Sequence, residues 1–239
     1  MSNKPSIEVC LSPNMWPLFD ARDKTVVVID ILRATTTIAV AFQNHIDKII
    51  PVETIEECIA YRDHDNYLLA AEREGLKPAG FSFGNSPFDY AGKDLKGKTL
   101  ILTTTNGTQC IKKSVGAKNI VTGAFSNLDS VCKYVLSQKD SCLLFCAGWK
   151  GQFNLEDTLF AGAVCDRLQN DFIMMQDAAL AAKLLFSQSE DYLLDVIKRT
   201  SHYQRLGRFG LEDDIEFCMS MNTTQVVPLY KDGALILMN

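Results

Sequence analysis

Continuous apolar runs, each closed by a polar junction, set the pattern of this chain. Residues 26–29 (VVVI) are β-branched and do not alternate with polar residues, the pattern of a strand covered on both faces by helices. Residues 67–71 (YLLAA), the run LIL at 100–102 and the run within SCLLFC at 141–146 read as further strands. Between them lie threonine-rich or acidic openings followed by helical spacing of apolar residues. Strands alternating with helices predict an α/β fold around a parallel sheet.

The order of elements from Lys24 returns from Lys98: apolar strand, threonine-rich junction, helix, lysine-led second strand, capped helix. Lys48, Ile49 and Ile50 correspond to Lys118, Asn119 and Ile120, and Thr54 to Ser126. The expectation is a duplicated βαβα unit, at about 24–95 and 98–170, inside one domain spanning 1–239. Its two threonine junctions are then free to meet at one sheet edge. The turn-rich stretch 72–97 reads as an ordered functional loop, because Phe81, Phe83 and Phe88 anchor it. The final third reads as helical up to Met221 and ends in the strands TQVVPLY and ALILM.

The junction after the first run is DILRATTT. Asp30 falls at the carboxyl end of its strand, where open sheets bind ligands, and the helix that follows offers free N–H groups and a partial positive charge. Arg33 supplies a planar fork suited to phosphate or sulfonate, the carboxylate suits a divalent metal, and Thr35, Thr36 and Thr37 suit capping or anion contact. The same residues also fit a structural arrangement, with Asp30 paired to Arg33 behind a capped helix. At the junction after residues 143–147, Gly148 and Gly151 make a turn and Glu156, Asp157 and Thr158 open a helix. Acidic residues there serve the helix dipole as readily as chemistry.

A net charge of −5 and a pI near 5.3 argue against nucleic acid or an anionic membrane as partner. No apolar run approaches the roughly 20 residues that cross a bilayer, so a cytoplasmic protein is expected. Eight cysteines without a CxxC pair and three histidines make a zinc site improbable, and the cysteines read as buried reduced thiols. No cysteine precedes an arginine at the spacing of a cysteine phosphatase, and no arginine–histidine–glycine run occurs. Asp30 lacks an aspartate two residues on, and His64 and Asp65 read as a helix end. There is neither GxxxxGK[ST] nor GxGxxG. What remains is a site of carboxylates, hydroxyls and arginine, able with magnesium to hydrolyse a phosphate ester.

At DILRATTT, GFSFGNSP, TTTNGT and AGWKGQFNLED, in this order, the chain resembles the 2-phosphosulfolactate phosphatase family from about Ile7 to the C-terminus. The resemblance implies a three-layer α/β/α fold with a mixed, mostly parallel sheet. It also implies a Mg²⁺-dependent hydrolase that releases sulfolactate and phosphate, the step known from coenzyme M biosynthesis. The matching positions are Asp30, Arg33, Thr35, Thr36, Glu72, Arg73, Asn85, Ser86, Thr105, Asn106, Gly107, Thr108, Gly148, Glu156 and Asp157. Two departures stand out: Ala71 and Glu74 replace glycines of the family's GERGG run, and Asn222 stands where an aspartate is expected before VP.

On this reading Asp30, Glu72 and one of Glu156 or Asp157 hold Mg²⁺, with Asp157 taken as the ligand. Arg33 and the N–H groups around Thr35 and residues 105–108 bind phosphate. Arg73, or Arg205 and Arg208, face the sulfonate and carboxylate. Attack by water is expected over an aspartyl-phosphate, because Asp30 has no partner aspartate to protonate the leaving group. The expected partner is a small anionic phosphate ester, with a homodimer as the assembly considered. A protein that binds an anionic metabolite without turnover is the rival reading, and another phospho-carboxylic acid is the rival substrate.

Overall fold

Alternation on the buried strands explains the layering. In β2 (Thr25–Ile29) every residue is buried, with Val26 and Val28 in one apolar cluster and Val27 and Ile29 in another. A strand with two dry faces needs helices on both. The computed structural model describes residues 4–238. Around β2 it places β1 (Ser6–Cys10), β3 (Lys48–Pro51), β4 (Tyr67–Ala71), β5 (Thr99–Thr103), β6 (Asn119–Gly123), β7 (Cys142–Cys146), β8 (Ile173–Met174), β9 (Pro228–Lys231) and β10 (Ala234–Leu237). Among the described residues they form one ten-stranded sheet, in the order β4-β5-β3-β10-β9-β6-β2-β7-β1-β8.

Helices α1 (Ala34–Gln43) and α3 (Gly107–Lys113) cover one face through Ile38, Phe42, Cys110 and Ile111. On the other lie α4 (Leu128–Gln138), α5 (Leu155–Leu168) and α6 (Asp177–Ser189), joined by the short helices α7 (Leu193–Ile197), α8 (Ser201–Gly207) and α9 (Glu212–Cys218). Helix α2 (Ile55–Ile59) closes a smaller cluster over β4 and β5 with Cys58. The expected three-layer α/β/α architecture with a mostly parallel sheet is what the structure shows. All eight cysteines are buried and free.

Two features depart from the simplest expectation. Strand β3 pairs with β5, and β6 with β2, so the two stretches compared above exchange strands across the sheet. Between them sits the C-terminal hairpin, which brings three antiparallel pairings: β6 with β9, β9 with β10, and β10 with β3. Three reversals make the two parallel halves run in opposite senses. The seams are narrow, each a single register pair, Leu235 with Ile49 and Val121 with Leu229. The second departure is that β9 begins at Pro228 rather than at Thr224. Residues 222–226 are held as a loop, because Asn222 and Thr224 N–H groups donate to Phe125 and Ser126 carbonyls and Asn127 Nδ2 donates to Val226 O at 2.9 Å. Asn222 adopts φ +55 and its Oδ1 accepts from Asp129 N–H at 2.9 Å; asparagine is among the residues that tolerate this left-handed backbone.

Candidate active site

The two threonine junctions meet although β2 and β5 are far apart in the sheet. A Cβ on Gly107, the first residue of α3, would lie 2.7 Å from Ala34 Cβ, the first residue of α1, and 2.7 Å from Asp30 Oδ2. Only glycine lets the two helix starts approach this closely over the carboxylate.

Each junction is braced in the same way. After β2, Thr35 Oγ1 donates to Asp30 O at 2.9 Å and accepts from Asp30 N–H at 3.1 Å. After β5, Thr108 Oγ1 donates to Thr104 O at 3.2 Å and accepts from Thr104 N–H at 3.1 Å. A buried carboxylate then fastens each junction to the neighbouring strand exit. Asp157 accepts from Ile31 N–H and Gly148 N–H, both at 2.9 Å. Glu72 accepts from Thr105 N–H at 3.1 Å, Thr105 Oγ1 at 3.1 Å and Gly75 N–H at 2.6 Å. Charged acceptors on backbone N–H groups are among the stronger protein hydrogen bonds.

Asp30 and Glu156 are placed differently. Asp30 accepts a single long bond, from Ala34 N–H at 3.3 Å, and its Oδ2 points at the Gly107 approach. Glu156 is 1% exposed; its Oε1 lies 2.5 Å from His202 Nδ1, while its buried Oε2 has no partner. Burial first, then the charges of Glu72 and Glu156, push the Asp30 carboxyl up to about 6. Burial first, then Glu156 and Asp30, raise Asp157 well above the usual carboxylate range, against the pull of Ile31 and Gly148 N–H. Four buried carboxylates that feel one another's charge make an environment that favours a cation.

The arginines divide. Arg33 does not pair with Asp30, as the structural alternative had it: its Nη1 pairs with Asp214 and its Nη2 donates to Gly75 O at 2.6 Å. Ser86 Oγ donates to the same Asp214 at 2.9 Å, and Asn85 keeps a buried Oδ1 without a partner while its carbonyl accepts from Thr37 Oγ1 at 2.8 Å. Arg73 turns back on the backbone, donating to Glu72 O at 2.7 Å and Thr103 Oγ1 at 2.9 Å. Arg205 stacks on Trp149, 4.1 Å from guanidinium to ring centroid, and its buried Nε and Nη2 have no partner. Burial lowers its pKa, against Glu156 and Glu74. Arg208 is exposed at the end of α8 and reaches none of these groups among the described residues.

Thr36 Oγ1 donates to Ile31 O at 3.1 Å, so the Thr35 and Thr36 hydroxyls are both committed to backbone carbonyls. Asn106 Oδ1 accepts from Lys150 N–H at 3.2 Å, and Lys150 Nζ pairs with Glu74 at 2.8 Å across the mouth. Glu74, where the sequence resemblance predicts a glycine, adopts φ +54, the conformation in which glycine is freest. Gly148 adopts φ +57, and a Cβ there would meet Gln152 O at 1.9 Å. Recesses of about 320 and 370 Å³ flank Thr105, one lined by Asn106 and Lys150, the other by Arg73 and Glu53. A recess of about 650 Å³, lined by Lys48, Tyr61, His64 and Lys112 among others, contains none of Asp30, Glu72, Glu156 and Asp157.

Sequence reasoning missed Asp214, Trp149 and His202. His202 stands three residues before Arg205 in HYQRLGRFG, so the motif that pointed to the arginine contained it. Asp214 carries no comparable signal, lying within an ordinary acidic helix start.

A mixed α/β sheet whose strand exits gather buried carboxylates beside an arginine with free N–H groups defines the class, an α/β enzyme for an anionic ester. The family described as 2-phosphosulpholactate phosphatase matches residues 10–233. Proteins named probable 2-phosphosulfolactate phosphatase are 43% identical over 224 residues in Thermotoga maritima, covering 93% of this chain and 96% of that one. In Caldanaerobacter subterraneus subsp. tengcongensis the identity is 38% over 219 residues, 90% of each chain. In Clostridium tetani it is 36% over 231 residues, 95% of this chain and 98% of the relative. The chain belongs to the 2-phosphosulfolactate phosphatase family, a family of phosphoric monoester hydrolases.

Proposed function

We propose that this protein hydrolyses 2-phosphosulfolactate to 3-sulfolactate and phosphate, with Mg²⁺ as cofactor and water as nucleophile. The observation that carries the reading is the pairing of a carboxylate cluster around Asp30 with the open donors of Arg205. A phosphate dianion entering beside four buried carboxylates is repelled unless a cation compensates. The donor set fits magnesium, which takes oxygen ligands and asks for only one or two protein carboxylates. No group of three histidine, cysteine, aspartate or glutamate side chains among the described residues closes into a metal cage, an arrangement that magnesium does not need. Asp30 would hold the ion, with Glu72 and Asp157 completing its shell directly or through water. When bound there, the ion would supply charge compensation for the phosphate ester.

The protein's own groups do the rest. Glu156, whose buried Oε2 has no partner, orients the attacking water. The helix starts at Ala34 and Gly107 receive the phosphoryl oxygens, and Arg33, committed to Asp214 and Gly75 O, adds its positive charge behind them. Arg205, held flat by Trp149, receives the substrate's second acid group; leaving its two buried donors unpaired costs about 1–3 kcal/mol each, a cost that an anion removes.

The test is phosphate release from racemic 2-phosphosulfolactate, phospholactate and phosphoglycolate, with Mg²⁺ or with EDTA. The expected result is Mg²⁺-dependent release, fastest from phosphosulfolactate. Equal release from all three would move the substrate to phospho-carboxylic acids at large, and no release from any would remove the enzymatic reading.

A further inference from the structure

Glu156 is the one member of the cluster that is held by a side chain instead of by backbone. Its Oε1 lies 2.5 Å from His202 Nδ1, and both residues are buried, at 1% and 4% exposure. The carboxylate oxygen accepts in this contact and the imidazole nitrogen donates. Asn154 Nδ2 lies 3.2 Å from the same nitrogen without bonding to it, because a nitrogen whose N–H donates to Glu156 cannot also accept, and the Trp149 ring is 5.9 Å from the imidazole. The Glu156 contact is therefore the one that fixes the imidazole. With Oε1 engaged, Oε2, which is buried and has no partner, is the oxygen left to hold a water. The influence of both Glu156 and His202 on the Asp30 carboxyl places the pair within electrostatic reach of the reaction centre. The pair also lines a recess of about 420 Å³ between the start of α5 and helices α7 and α8, with Arg199, Thr200 and Ser201 on its wall.

We propose that His202 is a positioning residue, which holds Glu156 by its Oε1 so that Oε2 orients the water for attack on the phosphate ester. This inference rests on the phosphatase reading above. Glu72 and Asp157 are immobilised by backbone N–H groups, which no substitution of a partner side chain releases; Glu156 depends on one imidazole. Loss of such an orienting partner typically lowers activity 10- to 100-fold.

The test compares His202→Leu, His202→Asn and Glu156→Gln in the full chain. Asparagine places an N–H close to the position of Nδ1, and leucine does not. For His202→Leu the expected result is a 10- to 100-fold slower turnover, with KM within twofold and calorimetric Mg²⁺ affinity within threefold, and His202→Asn should recover most of the loss. In the Glu156→Gln background, His202→Leu should cost less than threefold more. If His202→Leu fails to fold, activity retained by His202→Asn and lost by Glu156→Gln supports the assignment. Turnover by His202→Leu within threefold of the unaltered enzyme, or equal losses in the leucine and asparagine variants, overturns it. No phosphate release by the unaltered enzyme removes the phosphatase reading itself, an outcome distinct from failure of the His202 role.

Discussion

The junction after β2 and the junction after β5 are built from the same parts and end with different chemistry. Each has a threonine bonded both ways to the first residue past the strand, a buried carboxylate on the N–H two residues past it, and a helix that starts against the other junction. The difference lies in what the first residue is and in the length of the turn. Asp30 stands where the second junction has Thr104. Three residues, Ile31, Leu32 and Arg33, then precede α1, whereas two, Thr105 and Asn106, precede α3. The extra residue admits Arg33 and, with it, the contact to Asp214 that ties α9 to the site. The lesson is that the brace and the groups it carries are separable: the brace is common to both junctions, and one carboxylate and one arginine distinguish the junction after β2.

The largest effect should come from breaking that difference. Asp30→Asn keeps size and most bonds but removes the charge, and should slow turnover by on the order of 10³-fold, about 4 kcal/mol. Thr104→Val, at the matching place, should cost less than tenfold. Steady-state phosphate release with saturating Mg²⁺ measures both, and similar losses in the two variants would show that the junctions share the chemistry.

Stability against pH separates the junctions next. Because burial and neighbouring carboxylates raise Asp30 to about 6, the neutral form is the one that suits the metal-free fold. Its contribution is complete below about pH 4 and is lost as pH rises through about 6, up to about 3 kcal/mol at roughly 1.4 kcal/mol per unit. Urea unfolding in EDTA should therefore show stability falling between about pH 4 and 6.5, with a flatter profile in Asp30→Asn and an unchanged one in Thr104→Val. Mg²⁺ should restore more stability at the upper end of that range than at the lower. A slope that survives Asp30→Asn would assign the titration to another group.

The two staples should be nearly equal. Asp157→Asn and Glu72→Gln each turn one accepting oxygen into an amide N–H that faces a backbone N–H, and each should destabilise the protein by about 2 kcal/mol, read as a shift in urea midpoint at constant m. If Asp157→Asn costs much more than Glu72→Gln, the β2 junction depends on its brace more than the β5 junction does.

Much of this site was legible because strand exits announce themselves. The unbroken VVVI run located Asp30 at a carboxyl end, and TTTNGT located the second junction. What those residues do with their hydrogen bonds was not legible. Glu72 and Asp157 were placed in the site by motif, but their hold on Thr105 and Ile31 depends on N–H groups 33 and 126 residues away. The partner of Arg33 lies 181 residues on, in a helix start with no distinguishing pattern. The C-terminal hairpin showed its strand character but not its place, since insertion between β3 and β6 is decided by pairing across the whole chain. Local pattern specifies elements; long-range contacts specify which hydrogen-bonding capacity is left open.

The smallest predicted effect is the most direct check that the braces are equivalent. Thr35→Val and Thr108→Val keep the β-branched shape while each removes one hydroxyl bonded to the N–H and the carbonyl of a strand-exit residue. A lost bond of this kind costs about 1 kcal/mol, as at a helix cap. The two variants should therefore unfold within a few tenths of a kcal/mol of each other. Their activities should differ, because the residue loosened by Thr35→Val is Asp30 and the residue loosened by Thr108→Val is Thr104. A several-fold loss in the first with little change in the second would show that a brace matters to turnover only through the side chain it orients. Matching activity losses would mean instead that the brace of the second junction, which sets the helix start at Gly107, matters to turnover as much as the brace that holds Asp30.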